Sequence, residues 1–178
     1  MTTTLPISLL GNPVLRQVAQ PIADVREAWV QTLVADLIAT LQQANGVGIA
    51  APQVGQSYRV LVVASSPNPR YPHAPKMEPL PMINPQILSR SEELEKDWEG
   101  CLSVPGIRGF VPRHRAIAVE YTSLDGQRQH REFEGFVARI VQHEFDHLEG
   151  LVFLDRLESV QEIISNEEYL KFISELSN

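Results

Sequence analysis

The stretch Phe136-Val-Ala-Arg-Ile-Val-Gln-His-Glu-Phe-Asp-His-Leu148 decides how this chain is organised, because a helical pattern and a run of metal-binding residue types coincide in it. Phe136 and the later positions Ile140, His143 and His147 recur at three- and four-residue spacing, which places them on one face of an amphipathic helix. Gly150 then supplies the residue type that commonly ends a helix. We therefore expect a helix from about Phe136 to Leu148.

His143 and His147 lie one helical turn apart, so both imidazoles can reach one divalent ion. Glu144 points about a quarter turn away, where a carboxylate can act as the general base for a metal-bound water without being a ligand. The same spacing also arises by chance on exposed helices. We favour the metal interpretation because the histidines share the face of Phe136 and Ile140, and unpaired imidazoles are costly to bury.

A catalytic metal site typically has three protein ligands and leaves the fourth position to water. Cys101 is the single cysteine, and the glycines beside it in Glu99-Gly-Cys-Leu-Ser-Val-Pro-Gly106 free the backbone to approach another element. A lone cysteine can equally be a small buried hydrophobe. We prefer Cys101 as the third ligand because the two histidine ligands alone do not complete a site. The remaining histidines fit solvated positions better: His73, His114 and His130.

The remaining pattern predicts an α+β fold, in which antiparallel strands pack around a central metal-binding helix, with an N-terminal amphipathic helix and a C-terminal helix. The first helix spans Arg26 to Gln43 and ends at Asn45-Gly46, and the last follows a capping box at Ser165 to Glu168. Strands are predicted at Tyr58 to Val63, Met82 to Leu88 and Ala116 to Tyr121, and the Asp125-Gly126 turn returns the chain through Gln127 to Phe133.

The length and composition bound the function. A chain of 178 residues suits one core, so we expect residues 1–178 to form a single catalytic domain, with the proline-rich stretch Ser65 to Pro85 as a long surface loop. A net charge of −7 gives no excess of positive charge with which to bind nucleic acid or an anionic membrane. No signal peptide or membrane-length apolar run is present. We expect a cytoplasmic protein, with location in an organelle as the alternative.

The stretch Gly46-Val-Gly-Ile-Ala-Ala51 matches the dinucleotide fingerprint but not its context. That fingerprint must follow a strand and open a helix, whereas this stretch follows a helix and runs into Pro52. A better interpretation is that its glycines let extended backbone pass close to a ligand, with the amide of Gln53 beside it.

Three motifs together, Gly46-Val-Gly-Ile-Ala-Ala-Pro-Gln53, Glu99-Gly-Cys-Leu-Ser103 and Gln142-His-Glu-Phe-Asp-His147, resemble those of the peptide deformylases in order and spacing. The resemblance implies removal of the formyl group from the N-terminal formyl-methionine of new polypeptides, by attack of metal-bound water with Glu144 as general acid/base. The resemblance implies Fe2+ as the metal, with Zn2+, Ni2+ or Co2+ as substitutes.

The resemblance also implies roles for individual residues. The ligands would be Cys101, His143 and His147, and the oxyanion would be met by Gln53 and the Leu102 N–H. Substrate contacts would come from Val47, Gly48, Arg108, Arg139 and Ile140. The implied partners are N-formylmethionyl peptides and nascent chains, with the ribosome surface as a further candidate. Asp146 faces away from the metal, and we expect it to pair with Arg113.

Two other functions fit parts of this sequence. A zinc peptidase uses the same His-Glu-x-x-His run, but such enzymes usually complete the site with Glu or His rather than with a cysteine such as Cys101. A binding module with a structural metal would need a fourth protein ligand, and the sequence has no second cysteine.

Overall fold

The structure is a computed structural model that describes residues 2–68, 71 and 74–176. Its helices are α1 (Ala28–Gln43), α2 (Gly135–Leu148) and α3 (Asn166–Leu176), with short 3-10 helices at Pro13–Arg16, Ala51–Val54, Phe153–Arg156 and Val160–Glu162. Its strands are β1 (Gly48–Ala50), β2 (Val60–Val63), β3 (Leu80–Arg90), β4 (Leu94–Cys101), β5 (Val104–His114), β6 (Ala116–Thr122), β7 (Arg128–Glu134) and β8 (Ile163–Ser165). The α+β prediction is confirmed.

The helix ends follow from the residues that the sequence supplies there. Asn45, just beyond α1, has φ +50°, and Gly150, just beyond α2, has φ +73°. Left-handed residues of this kind stop a helix by turning its last carbonyls toward new donors. At α3 the Ser165 hydroxyl accepts a hydrogen bond from the Glu168 N–H at 3.2 Å, so the predicted cap is present. No helix in the described part of the chain has the length and apolarity to span a membrane.

The larger sheet is antiparallel, with strand order β1-β2-β3-β6-β7. Both faces of β2 are buried: Leu61 and Val63 belong to the core under α2, whereas Val60 and Val62 belong to the core under α1. Successive side chains of a strand point to opposite faces. The sheet is therefore covered by a helix on each side at this strand.

The hairpin between β6 and β7 forms as predicted. Gly126 has φ +83°, and the Ser123 N–H donates to the Gln127 carbonyl at 2.9 Å. The strands then pair from Thr122 and Arg128 back to Ala116 and Glu134. The Asp-Gly turn chemistry thus sets the register of this edge of the sheet.

One prediction was wrong at the end of the proline-rich stretch, because β3 begins at Leu80 and contains both Pro81 and Pro85. Pro85 lies where the pairing of β3 with β6 shifts register, between Ile83 and Gln86. Pro81 precedes Ile83, the first position of β3 that pairs with β6. A proline is tolerated in a strand where its missing N–H is not needed by a neighbour. Pro81 lies opposite Val62 of β2, and on the other side of β3 neither proline is paired with β6.

The smaller sheet has the order β4-β5-β8 and was not predicted. Its main hairpin brings Cys101 opposite Val104, so the turn between β4 and β5 consists of Leu102 and Ser103. Helix α2 contacts β1, β2 and β7 of the larger sheet and β5 of the smaller one. The helix that carries the metal-binding motif therefore joins the two sheets.

The buried side chain of Gln142 fastens α2 to β5 through the backbone of His114. Its carbonyl oxygen accepts from the His114 N–H at 3.1 Å, and its amide donates to the His114 carbonyl at 2.8 Å. A two-point contact of this kind fixes both distance and orientation between a helix and a strand.

We expect Gln142→Ala to lower the free energy of unfolding by about 2 to 4 kcal/mol, because it leaves two backbone groups without partners. Urea denaturation in the presence of a metal chelator measures this without a contribution from metal binding. Gln129→Ala, on the exposed side of β7, is the control and should change the value by less than about 0.5 kcal/mol. Equal midpoints for the two variants would contradict the role of Gln142.

Candidate metal centre and active-site cavity

Three side chains with metal-binding atoms converge between α2 and the end of β4. The ligand atoms of Cys101, His143 and His147 all lie within 4.8 Å of one another. The Cys101 Sγ and His147 Nε2 atoms are 3.3 Å apart. The structure thus brings together the three residues that the sequence predicted as ligands, on two elements that are distant in the chain.

Glu99 orients His143. The His143 Nδ1 donates to a Glu99 carboxylate oxygen at 2.9 Å, which leaves Nε2 as the ring nitrogen that can bind a metal. Burial by itself raises the pKa of the Glu99 carboxyl, but the Arg113 charge and the hydrogen bonds from His143 and Arg113 outweigh burial and hold that pKa well below its usual range. An ionised partner on the outer nitrogen of a histidine fixes the tautomer that a metal ligand needs.

Two buried arginines hold the Glu99 carboxylate in turn. Arg113 donates to both of its oxygens, at 2.8 Å and 3.0 Å, and Arg139 donates to one of them at 2.9 Å. Arg113 also donates to Asp146 at 2.6 Å, and Asp146 accepts two bonds from Arg156, at 3.0 Å and 2.6 Å. The predicted pairing of Asp146 with Arg113 is confirmed.

The chemistry of the site suits a cation. Burial by itself lowers the pKa of His143, but hydrogen bonding to Cys101 and Glu99 raises it well above its usual value, which shows that the surroundings of the ring favour a positive charge. Burial lowers the pKa of His147 well below its usual value, which keeps that imidazole neutral, as a ligand must be. One sulfur and two imidazole nitrogens form a donor set that zinc and ferrous iron accept.

Glu144 lies beside the ligand cluster, against the backbone of Gly48. Burial is the main cause that raises the pKa of Glu144, to about 7, and the Glu99 charge adds to it while the His143 charge opposes it. One of its carboxylate oxygens has no hydrogen-bond partner in the described structure. A Cβ atom at Gly48 would stand 2.5 Å from the other oxygen, so only glycine leaves room for this carboxylate.

The side chain of Gln53 enters the site from the 3-10 helix that follows β1. Its oxygen accepts from the Ala50 N–H at 2.8 Å. Its amide nitrogen donates to Cys101 Sγ at 3.5 Å and to Ser103 Oγ at 3.3 Å. The amide is buried and points toward the ligand cluster, as the sequence interpretation required.

A cavity of about 560 Å³, which includes the open space at its mouth, joins these groups. Most of the predicted site residues line it: Val47, Gly48, Gln53, Cys101, Leu102, Arg139, Ile140, His143 and Glu144. It is also lined by three aromatic residues that the sequence interpretation missed: Tyr71, Trp98 and Phe136. The periodicity of α2 already placed Phe136 on the histidine face, but nothing in a proline-rich stretch marks Tyr71.

Two residues that were predicted to contact the substrate, Arg108 and Arg139, do not present a free guanidinium group to the cavity. Arg108 does not line the cavity and is 2% exposed, with its guanidinium over the rings of Tyr169 at 4.1 Å and Tyr71 at 5.0 Å. Arg139 lines the cavity, but its guanidinium is engaged with Glu99 and with backbone carbonyls of Glu95 and Val111. The guanidinium of Arg139 is therefore paired inside the protein, whereas that of Arg108 contacts two tyrosines and its Nε has no hydrogen-bond partner within the described residues.

The other histidines lie away from the ligand cluster. His130 is exposed on β7, as expected. His114 is only partly exposed and its Nδ1 is 2.6 Å from the Ser91 carbonyl oxygen, so it is not the solvated side chain that we expected. His73 lies outside the described residues.

Comparison with known proteins gives one consistent family. The family described as polypeptide deformylase matches residues 4–162. Peptide deformylase 2 of Nostoc sp. is 59% identical over 170 residues, which cover 96% of this chain and 95% of that protein. Peptide deformylase 2 of Shewanella oneidensis is 48% identical over 164 residues, which cover 92% and 90%.

Solved structures agree with these relatives. A class I type b peptide deformylase from Acinetobacter baumannii, bound to Met-Ala-Ser, aligns with a TM-score of 0.86 and 46% identity, over 88% of this chain and all of that one. A peptide deformylase from Synechococcus elongatus in complex with actinonin aligns with a TM-score of 0.79 and 34% identity, over 94% of this chain and 85% of that one. This chain therefore belongs to the polypeptide deformylase family of hydrolases.

Proposed function

We propose that this protein is a metal-dependent hydrolase that removes the formyl group from the N-terminal formyl-methionine of newly made polypeptides, with residues 1–178 as its single catalytic domain. The observation that carries the proposal is the convergence of Cys101, His143 and His147 within 4.8 Å, in a cavity that Glu144 and Gln53 also line. Membership of the family supports the reaction, and the geometry supports the roles of the residues.

Cys101, His143 and His147 would hold the metal, which we propose is Fe2+, with Zn2+, Ni2+ or Co2+ as substitutes. When bound, a divalent ion supplies a Lewis acid and lowers the pKa of a water ligand toward neutrality. Glu99 would keep the ring of His143 oriented for this purpose through the 2.9 Å bond to Nδ1. No fourth Cys, His, Asp or Glu joins the ligand group within the described residues, which favours an enzyme over a structural metal site.

Glu144 would act as the general acid/base. Its carboxylate is buried, and burial raises its pKa to about 7, close to the value at which a group exchanges protons most efficiently near neutral pH. It would take the proton of the attacking water and return it to the amine that leaves. The oxygen without a partner is available for that transfer.

Gln53 and the Leu102 N–H would donate hydrogen bonds to the formyl oxygen as it gains negative charge. Oxyanion donors of this type contribute about 3 kcal/mol each to transition-state stabilisation. The amide of Gln53 is already directed at the ligand cluster, since its nitrogen lies 3.5 Å from Cys101 Sγ. Preorganised donors of this kind need no reorientation during the reaction.

The peptide would lie along β1, which is an edge strand of the larger sheet. On one side of this segment, the Val47 carbonyl accepts a hydrogen bond from the Ala64 N–H at 2.8 Å. We propose that the opposite side of the backbone at Val47 and Gly48 forms hydrogen bonds with the substrate backbone. Ile140 would contact the methionine side chain, with Arg139 at the border of this pocket. Arg108 would act on the substrate from behind Tyr71, since it does not reach the cavity itself.

A direct test follows the release of formate from a formyl-methionyl peptide by protein loaded with nickel or, under anaerobic conditions, with iron. We expect formate and a free methionyl peptide as the products, and no cleavage of the unformylated peptide. A protein that leaves the formyl group in place but cuts unformylated peptides would be a peptidase, which the sequence alone had left open.

Glu144→Ala should retain the metal but lose turnover by a factor of about 10² to 10⁴, the range typical of a general acid/base. Metal content by mass spectrometry and formate release are measured on the same preparation. Cys101→Ala is the comparison variant, and it should lose both metal and activity. Turnover by Glu144→Ala near that of the wild type would assign proton transfer to another group.

The metal should determine sensitivity to air. We expect the iron-loaded protein to lose activity on aeration, because a thiolate beside ferrous iron is readily oxidised, while the nickel-loaded protein keeps its activity over the same time. Activity is assayed against aeration time, and the mass of the Cys101 peptide reports oxidation. Equal survival of both forms would show that the thiolate is protected.

A further inference from the structure

The Gln53 amide is held by hydrogen bonds at both ends. Its oxygen accepts from the Ala50 N–H at 2.8 Å, which determines that the nitrogen faces the ligand cluster. The nitrogen carries two hydrogens, and its acceptors are Ser103 Oγ at 3.3 Å and Cys101 Sγ at 3.5 Å. One hydrogen is therefore bound by a serine that is not a proposed ligand, and the other points at the site.

Ser103 is well suited to hold that hydrogen. Its side chain is fully buried, at 0% exposure, in the two-residue turn between β4 and β5. The Gln53 amide is the partner that the structure gives its hydroxyl oxygen. A buried hydroxyl oxygen that accepts a hydrogen bond can fix the direction of the amide that donates it.

The backbones of these two residues are tied together as well. The Ser8 N–H donates to the Gln53 carbonyl at 2.7 Å, and the Leu10 N–H donates to the Ser103 carbonyl at 2.8 Å. The N-terminal segment thus bridges the 3-10 helix that carries Gln53 and the turn that carries Leu102 and Ser103. This one segment therefore contacts both elements that carry the groups proposed to meet the formyl oxygen.

We propose that Ser103 is a positioning residue for the Gln53 amide: by binding one amide hydrogen, it directs the other toward the reacting carbonyl. This inference rests on the proposed role of Gln53 in deformylation. Ser103 itself touches neither the substrate nor the reacting atoms. Without its hydroxyl, the amide would lose one of the contacts that fix its rotation, and donation to the formyl oxygen would weaken.

Ser103→Ala should lower kcat about tenfold with KM changed less than about twofold, because an interaction made in the transition state affects kcat rather than uniform binding. Turnover is expressed per bound metal. Ser65→Ala is the matched control, since Ser65 is also buried, at 1% exposure, and its hydroxyl has no partner in the described structure. We expect it to keep the wild-type kcat.

A double-mutant cycle separates positioning from a general structural effect. Gln53→Met removes the amide at similar length and should lower kcat about 100-fold, as loss of an oxyanion donor does. Adding Ser103→Ala to Gln53→Met should change kcat less than about twofold, because the residue through which Ser103 acts is gone. An equal loss in both backgrounds, or an unchanged kcat in Ser103→Ala alone, would overturn the inference.

The amide can also be observed without turnover. In a ¹⁵N-edited NMR spectrum of metal-free protein, the Gln53 side-chain amide is the signal pair that Gln53→Met lacks, and Ser103→Ala should shift it toward the values of a free amide. An unmoved pair would contradict the proposed contact. If the wild type releases no formate, the proposed function fails; if it does and the cycle is additive, only the role of Ser103 fails.

Discussion

The buried carboxylate of Glu99 is the constraint on which the rest of this structure depends. It lies on β4, it accepts hydrogen bonds from Arg113 on β5, and it accepts others from Arg139 and His143 on α2. Removing a charge from water is costly unless good hydrogen bonds compensate for it. Here the compensation comes from two other elements, β5 and α2, so the charge on β4 can be buried only when all three elements are in their native places.

The same network links the fold to the proposed metal ligands. Asp146 completes the charge balance of Arg113 from the next turn of α2, and Arg156 covers Asp146 from the side nearer solvent. Loss of one member would leave its partners buried without compensation, which is generally more destabilising than removal of the whole group. The orientation of His143 is thus protected by interactions that stabilise the packing of α2 on the smaller sheet.

Sequence reasoning succeeded where local patterns determine the structure and failed where distant residues do. The spacing of Ile140, His143 and His147 predicted α2, and Asp125-Gly126 predicted the β6–β7 hairpin. The smaller sheet was missed because β4 is mostly polar, and β5 contains prolines and glycines at 105, 106, 109 and 112, so neither alternates clearly. Their pairing is decided by buried contacts such as Arg113 with Glu99, which no local pattern records.

The candidate site shows the same division. The three proposed ligands and Gln53 converge as their motifs implied, because each motif places a side chain that is defined by its neighbours in the chain. Arg139 was expected to contact the substrate, and it lines the cavity, but its guanidinium donates to Glu99. Arg108 was expected at the substrate and lies behind Tyr71. A long side chain can reach several partners, so its contacts follow from the fold and not from its position in a motif.

The surroundings of Glu99 and Glu144, the two carboxylates near the ligand cluster, shift their pKa values in opposite directions. Both are buried, and burial alone would raise the pKa of each. For Glu99 the Arg113 charge and its hydrogen bonds reverse that effect. No arginine of the described part of the chain is bonded to Glu144, and its pKa rises to about 7. Environments that separate two such groups assign their roles: the permanently charged carboxylate suits an orienting group, and the one that titrates near neutrality suits a proton carrier. The arginines that secure the fold therefore keep Glu99 charged, whereas burial gives Glu144 the raised pKa that suits its proposed role in acid/base chemistry.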